Sequence, residues 1–321
     1  MSQTNELEIM ERIALDLEGV EESLASSFNT GAEDFNALIR PLSAIGKRLR
    51  AQLCLLIANA GTSVERQRIR IAEAVEMLHL ATLIHDDVLD RRDSSRRRNI
   101  HMHRGNKVAI LSGDYLFAKA FQIVSEMPNM KYLQIFSHII TCLVEGEFMQ
   151  MEDVYRIDQG IERYMTKTQK KTADFMEGCM ELGGLLGGWS ESEIVELKKY
   201  GHALGMAFQI TDDIMDYRET TATTGKPVGN DLREGLLTYP LLSIVNDDNK
   251  DKLLEDIKAL NNGGDEQAII DYVIGQGGID NTLAVADQYC KDALAALDAV
   301  RDFPGKEFLV MAVENLADRK V

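Results

Sequence analysis

The sequence predicts an all-α protein, and three observations carry that expectation. Only 5 of the 321 residues are proline, and none lies between Pro41 and Pro128. Aromatic residues are scarce, at 6%, while Ala, Leu, Glu and Met are frequent, a composition that favours helix. Apolar residues recur at i, i+3, i+4 spacing, and no segment alternates in the manner of a strand.

Taken in order, residues 5–27 form one amphipathic stripe of Leu7, Met10, Ile13, Leu17, Val20 and Leu24. "GKRLRAQLCLLIANAG" opens with a basic cluster and continues as an apolar helix ending near Gly61. Residues 65–90 read as one long helix, too apolar on all sides for a surface position. Arg91–Gly105 is polar and reads as a loop, and "DYLFAKAFQIVSEM" is a helix that stops before Pro128. Helices follow over 131–155, 160–187 and 191–217, with the small residues of "ELGGLLGG" permitting close helix contact. "RETTATTGKPVGNDLREG" is a loop. Shorter helices complete the chain over about 236–247, 250–260, 265–275, 281–302 and 305–318. With no linker and no repeat, the expectation is one domain over 1–321, a bundle of ten or more helices.

The formal net charge is −17 and the pI near 4.8. A phosphate-backbone binder needs a broad cationic face, so nucleic acid is excluded as a partner. Cys54, Cys142, Cys179 and Cys290 are far apart, with neither a C-x-x-C nor a zinc spacing, which fits a reducing compartment. The N-terminal residues carry acids where a secretory signal would be basic. No stretch approaches eighteen uninterrupted apolar residues. The expectation is a soluble, cytoplasmic protein without a transmembrane segment.

Against this acidic background, "HDDVLDRRDSSRRR" from His85 to Arg98 sets carboxylates beside arginines. Asp86, Asp87 and Asp90 form D-D-x-x-D at the end of an apolar helix. Asp86 and Asp90 are i,i+4 neighbours, and their repulsion costs a bare helix roughly 0.2–0.5 kcal/mol. A bound cation would offset it. The pattern recurs in "QITDDIMDY" as Asp212, Asp213 and Asp216. Oxygen ligands alone suit Mg²⁺ rather than zinc, and Mg²⁺ typically bridges to phosphate oxygens. The arginines would meet the remaining oxygens of a metal-held diphosphate. Further cations, Lys47, Arg48 and Arg50 with His79, and Lys171 with Lys226, complete two anion sites, one reached through metal and one free of metal and formed by Lys, Arg and His. A di-iron carboxylate centre is excluded. Glu76-x-x-His79 has the right spacing, but no second E-x-x-H exists.

These residues, in this order, resemble the trans-polyprenyl diphosphate synthases of the polyprenyl synthetase family, and the match runs from "GKRLR" to "TYPLL". Supporting segments are "EMLHLATLIHDDVLD", "GDYLFAKAF", "EGEFMQ", "KKTADF", "GMAFQITDDIMDY" and "GKPVGNDLREG". The resemblance implies the isoprenoid synthase fold, a large antiparallel helix bundle around a central cavity. It further implies that Asp86, Asp87, Asp90, Asp212, Asp213 and Asp216 hold magnesium, three ions per site when substrate is bound. Lys171, Thr172, Gln209 and Lys226 match contacts to the allylic diphosphate and its leaving group. Lys47, Arg50 and His79 match the isopentenyl diphosphate site. Arg96 is assigned to the allylic and Arg97 to the isopentenyl diphosphate, while Arg91, Arg92 and Arg98 are expected to be solvated or to support the residues that touch substrate.

The chain departs from the family pattern in three places. Ser95 and Arg96 stand where two arginines are usual, Ala51 replaces a proline, and Leu236 replaces a lysine in "GLLTYP". Product length in this family follows the helix upstream of the first motif, where one turn rises 5.4 Å. Ala81 and Thr82 are small and leave a tunnel open towards Met77 and Leu78. Phe117 and Phe121 read as core packing. The expected product is hexaprenyl to nonaprenyl diphosphate, a precursor of a menaquinone or ubiquinone side chain. The alternatives are a short-chain farnesyl or geranylgeranyl diphosphate synthase, or the catalytic subunit of a heteromer. The expected assembly is a homodimer, or a heterodimer with a small regulatory subunit.

Overall fold

The computed structural model describes residues 3–27, 48–89, 105–218 and 229–318. Among them no strand occurs, in line with the all-α expectation. The helices are α1 (Gln3–Ser27), α2 (Leu49–Asn59), α3 (Glu65–Leu89), α4 (Asn106–Ser125), α5 (Met130–Glu152), α6 (Gly160–Thr168), α7 (Asp174–Gly187) and α8 (Glu191–Arg218). There follow α9 (Asn230–Arg233), α10 (Tyr239–Leu242), α11 (Lys250–Ala259), α12 (Glu266–Gly275), α13 (Gly278–Asp298) and α14 (Lys306–Asp318). A π-helical turn, Gln169–Ala173, joins α6 to α7.

The chain divides into two compact units. The first comprises 1–138, 178–197 and 301–306, and the second 139–177, 198–300 and 307–321.

In the first unit, α3 packs against α1, α2 and α4. Its central residues, 71–78, are all buried, including Glu73 and Glu76. The buried stripe of α1 is Ile9, Ile13, Asp16, Val20 and Leu24, while Leu7 is exposed. Asp16 occupies an apolar phase of that stripe because Arg68 on α3 donates to both its oxygens, at 2.8 and 3.2 Å, and Asn59 adds a bond at 2.7 Å. Removing one partner of such a buried pair costs about 3–5 kcal/mol. The "ELGGLLGG" glycines do permit close approach. A Cβ at Gly183 would stand 2.6 Å from the Cys54 carbonyl oxygen of α2.

Of the helices, α4 alone among the described residues is long and apolar enough to cross a membrane. Its buried residues Leu116, Ala120, Ile123 and Val124 belong to the core of this unit, and it carries Lys107, Asp114 and Lys119.

In the second unit, the last turns of α8 contribute Ile210, Ile214 and Tyr217 to a core shared with Leu232, Leu241, Ile257 and Ile270. Tyr200 anchors α14 by donating to the Leu309 carbonyl at 2.8 Å.

The helix expected over 236–247 shrinks to α10. Pro240 lacks an N–H and fits only a first turn, so the helix starts at Tyr239. A turn then forms at Asn246, where the backbone N–H of Asn246 donates to Asn249 at 2.8 Å. Conversely, α4 starts at Asn106, eight residues before the expected Asp114, immediately after Gly105 at φ 85°.

Candidate active site

In the first unit, the described candidate residues gather at the start of α2 and along α3. Arg48 precedes α2 with a left-handed backbone, φ 53° and ψ 31°. For a residue with a Cβ that conformation costs of order 1–3 kcal/mol and needs support from its surroundings. The support comes from Glu76 of α3, whose Oε2 accepts from Arg48 Nη1 at 3.1 Å and whose Oε1 accepts from the Ala51 N–H at 3.3 Å. Three residues on, and therefore on the same face of α3, His79 Nε2 lies 3.3 Å from Arg50 Nη1. Burial lowers the Arg50 pKa, opposed by the charges of Cys179 and Glu76.

Further along α3, Met77, Leu78 and Ala81 are fully buried, and half-buried Thr82 donates to the His79 carbonyl at 2.8 Å. Asp86 is half-buried near the helix end. Its neighbour His85 is wedged against α4. A Cβ at Gly113 would stand 2.1 Å from His85 Nε2, so only glycine leaves room for the ring. His85 also stacks on Phe117 at 5.5 Å and approaches Asp114 to 3.6 Å. Phe121 meets Phe136 edge to face at 5.6 Å, the packing role expected of it. Asp87 lies within α3, and nothing further is described of it. Lys47, Asp90, Arg91, Arg92, Arg96, Arg97, Arg98 and Lys226 lie outside the described residues.

In the second unit, the π turn carries Lys171 and Thr172, and the last turns of α8 carry Gln209, Asp212, Asp213 and Asp216. The turn nests against α8 because position 205 is glycine. A Cβ there would stand 2.6 Å from Ala173 Cα. Thr172 Oγ1 donates to Gln209 Oε1 at 3.0 Å, and Gln209 Nε2 donates to Asp213 Oδ1 at 3.0 Å. The other oxygen of Asp213 accepts from Tyr164 at 2.5 Å. Burial pushes the Asp213 carboxyl up to about 7, against the pull of the Tyr164 and Gln209 donors. Asp216 is engaged differently. Its two oxygens accept the backbone N–H groups of Asn230 and Asp231, both at 3.2 Å. Asp212 is exposed.

Lys171 reaches Glu147 at 2.5 Å and Gln150 at 2.9 Å, both in "EGEFMQ". It passes over Gly146, where a Cβ would stand 2.7 Å from the lysine Cγ. Lys167 is buried between Gln159 at 3.3 Å and Asp153 at 3.7 Å, and burial lowers its pKa. Leu236 is half-buried, its N–H bonded to the Asp231 carbonyl at 2.8 Å.

Tyr164, Lys167, Glu147, Gln150 and the structural part of Glu76 were missed in the sequence reading. The glycines at 113, 146 and 205, each inside an otherwise good helix, mark the close approaches of His85, Lys171 and Ala173.

The donor set of both aspartate motifs is oxygen alone, which fits a hard divalent cation. Asp212 is exposed to solvent. A separate cluster, Asp174, Glu177 and His202, brings its ligand atoms within 4.8 Å of one another. Those groups already have protein partners. Lys198 pairs with Glu177 at 3.4 Å, and Gln169 donates to Asp174 at 3.3 Å.

The sequence model of the Polyprenyl synthetase family matches residues 34–275. Heptaprenyl diphosphate synthase component 2 of Geobacillus stearothermophilus is 34% identical over 288 residues, covering 89% of this chain and 90% of that protein. Octaprenyl diphosphate synthase of Escherichia coli is 31% identical over 307 residues, covering 94% and 95%. Among solved structures, heptaprenyl diphosphate synthase from Staphylococcus aureus superposes with a TM-score of 0.87 at 27% identity, covering 96% of this chain and 99% of that one.

Proposed function

Because the chain belongs to the polyprenyl synthetase family, with the all-α isoprenoid synthase fold of a prenyltransferase, we propose that it condenses an allylic diphosphate such as farnesyl diphosphate with successive isopentenyl diphosphates. The product is an all-trans hexaprenyl to nonaprenyl diphosphate, destined for the side chain of menaquinone or ubiquinone. The observation that carries this reading is the bonded series Thr172–Gln209–Asp213, which ties the lysine–threonine turn to the second aspartate motif. One polyprenyl synthetase domain over 1–321 performs the reaction in the cytoplasm.

Asp86, Asp87, Asp90, Asp212, Asp213 and Asp216 would hold three Mg²⁺ ions. Bound there, magnesium supplies Lewis-acid neutralisation of diphosphate charge. The protein's own groups do the rest. Lys171, held by Glu147 and Gln150, is aimed as a fixed cation for the allylic diphosphate, a preorganised electrostatic role, and Lys226 and Arg96 share that task. Thr172 and Gln209 orient the same group. Lys47, Arg50, His79 and Arg97 bind the isopentenyl diphosphate. No side chain in the motifs is an obvious general base, so the departing diphosphate takes the proton released when the new double bond forms. Small Ala81 and Thr82 admit a growing chain towards Met77 and Leu78.

Three observations favour a dimer, either of this chain with itself or with a small regulatory subunit. Val144, Phe148 and Met151 leave an apolar stripe of α5 exposed at i, i+4, i+7, at 46%, 62% and 56%. Leu236 removes one cation, and a relative is named as component 2.

The test is incubation of the purified chain with farnesyl diphosphate, isopentenyl diphosphate and Mg²⁺, followed by sizing of the products. A ladder ending between six and nine isoprene units supports the proposal. A farnesyl or geranylgeranyl product from shorter primers would favour a short-chain synthase. Activity only with a cell extract added would favour a heteromer.

A further inference from the structure

The basic corner at the start of α2 contains a carboxylate that the reaction does not require. A cation cluster meant for a diphosphate is weakened by a buried acid in its midst, yet Glu76 is 4% exposed and bonded on both oxygens there. Its partners explain why. The residue at the N-cap of α2 is Arg48, which has no side-chain acceptor, so the first-turn N–H groups of the helix lack the usual local cap. Glu76 supplies that acceptor from a different helix by taking the Ala51 N–H. The same carboxylate holds the Arg48 guanidinium and thereby the left-handed turn at φ 53° that aims the chain into α2.

Arg48 and Arg50 therefore have different tasks although they look alike in "GKRLR". The Arg48 guanidinium is turned onto Glu76 as an ion pair, with side chains 10% and 4% exposed. Arg50 leaves the first turn of α2 towards His79, one helical step from Glu76 on α3. Glu76–Arg48/Ala51 and His79–Arg50 are two rungs of one ladder between these helices. If the first rung is lost, both the start of α2 and the exit direction of Arg50 are lost with it.

We infer that Glu76 is a positioning residue for the isopentenyl diphosphate site, fixing the corner from which Arg50 reaches the ligand. The inference rests on the proposed assignment of Arg50 and His79 to that diphosphate. Glu76 itself does not touch substrate.

The experiment compares wild type, Glu76→Gln, Arg50→Ala and the paired variant Arg48→Met/Glu76→Leu in the full chain. Glutamine keeps an acceptor and the shape but removes the charge that holds Arg48. The paired variant replaces the ion pair with apolar groups of similar size, which keeps the fold testable if Glu76→Gln does not fold. KM is measured separately for isopentenyl and allylic diphosphates, and isopentenyl diphosphate binding is measured by calorimetry without Mg²⁺ or primer. Expected for Glu76→Gln is a rise of about tenfold in KM and Kd for isopentenyl diphosphate, with KM for the allylic substrate and kcat within about twofold. These sizes reflect the loss of one charge-assisted contact. The paired variant should show the same split. A residue with only a structural role would lower the melting temperature and the active fraction but leave both KM values alone, and that result overturns the inference. If Arg50→Ala leaves isopentenyl diphosphate binding unchanged, the site assignment fails and the inference with it. If Arg50→Ala weakens binding and Glu76→Gln does not, the inference alone fails.

Discussion

The two D-D-x-x-D motifs are the same five-residue pattern closing the same kind of apolar helix, yet their surroundings differ. In the first, α3 ends three residues after Asp86, and the anchor is a neighbour, His85, seated on Gly113. In the second, donors from other segments of the chain hold Asp213 and Asp216. Asp213 is buried between Tyr164 and Gln209, Asp216 holds two backbone N–H groups of the following turn, and Asp212 is exposed. Identical letters therefore do not make equivalent ligands. The donors packed around a carboxylate decide how many of its lone pairs are left for a cation.

That difference can be broken experimentally. The largest expected effect is loss of turnover, by about a thousandfold or more, in Asp86→Ala/Asp87→Ala and in Asp212→Asn, read as Mg²⁺-dependent incorporation of labelled isopentenyl diphosphate. Asp213→Asn should cost far less, about tenfold, because an amide can keep hydrogen bonds to both Gln209 and Tyr164. Equal losses at 212 and 213 would erase the distinction between the exposed and the buried carboxylate.

Next in size is product length. Ala81 is fully buried one turn before the first motif, so Ala81→Phe should stop growth at farnesyl or geranylgeranyl diphosphate, seen by chromatography of the dephosphorylated products. An unchanged product would remove Ala81 from the tunnel.

Tyr164→Phe leaves one buried oxygen of Asp213 without its donor. The expected loss is about 1–3 kcal/mol of unfolding free energy in a urea titration, and no loss would mean that the bond is not maintained in solution.

The smallest effect belongs to Glu177 on α7. Burial alone would raise its pKa, but the hydrogen bond from His202 and the Lys198 charge outweigh burial and hold it below the usual carboxylate value. A depressed carboxylate stabilises the fold above its unfolded pKa, near 4.3, and loses that contribution as pH falls through the lower folded value. Wild type should therefore melt about 1–2 °C above Glu177→Gln at pH 7, and the gap should close below about pH 4. A gap independent of pH would show that the ion pair is not its source.

Much of this arrangement was legible in the sequence because it is periodic or local. The apolar spacing announced nearly every helix, and the repeated aspartates marked out the candidate site. What stayed hidden depends on partners far apart in sequence. Tyr164 and Asp213 are 49 residues apart, Glu76 and Arg48 are 28 apart, and nothing local marks either pair. Asp16 shows the same limit, since its place in an apolar stripe makes sense only once Arg68, 52 residues on, is in view. Pro240 did carry a local signal. A proline confined to the first helical turn should have moved the helix start from 236 to its neighbourhood.

The π turn at Gln169–Ala173 also resets the angular phase of the chain. An α-helix advances about 100° per residue, and a π turn carries an extra residue in its loop. The faces of α6 and α7 are thus set independently, although residues 160–187 read as a single helix. Deleting one residue within the turn would restore continuous α pitch and rotate Lys171 and Thr172 relative to α6 by about 100° without removing any ligand. The spacing of this segment is as much a part of the candidate site as its lysine and threonine.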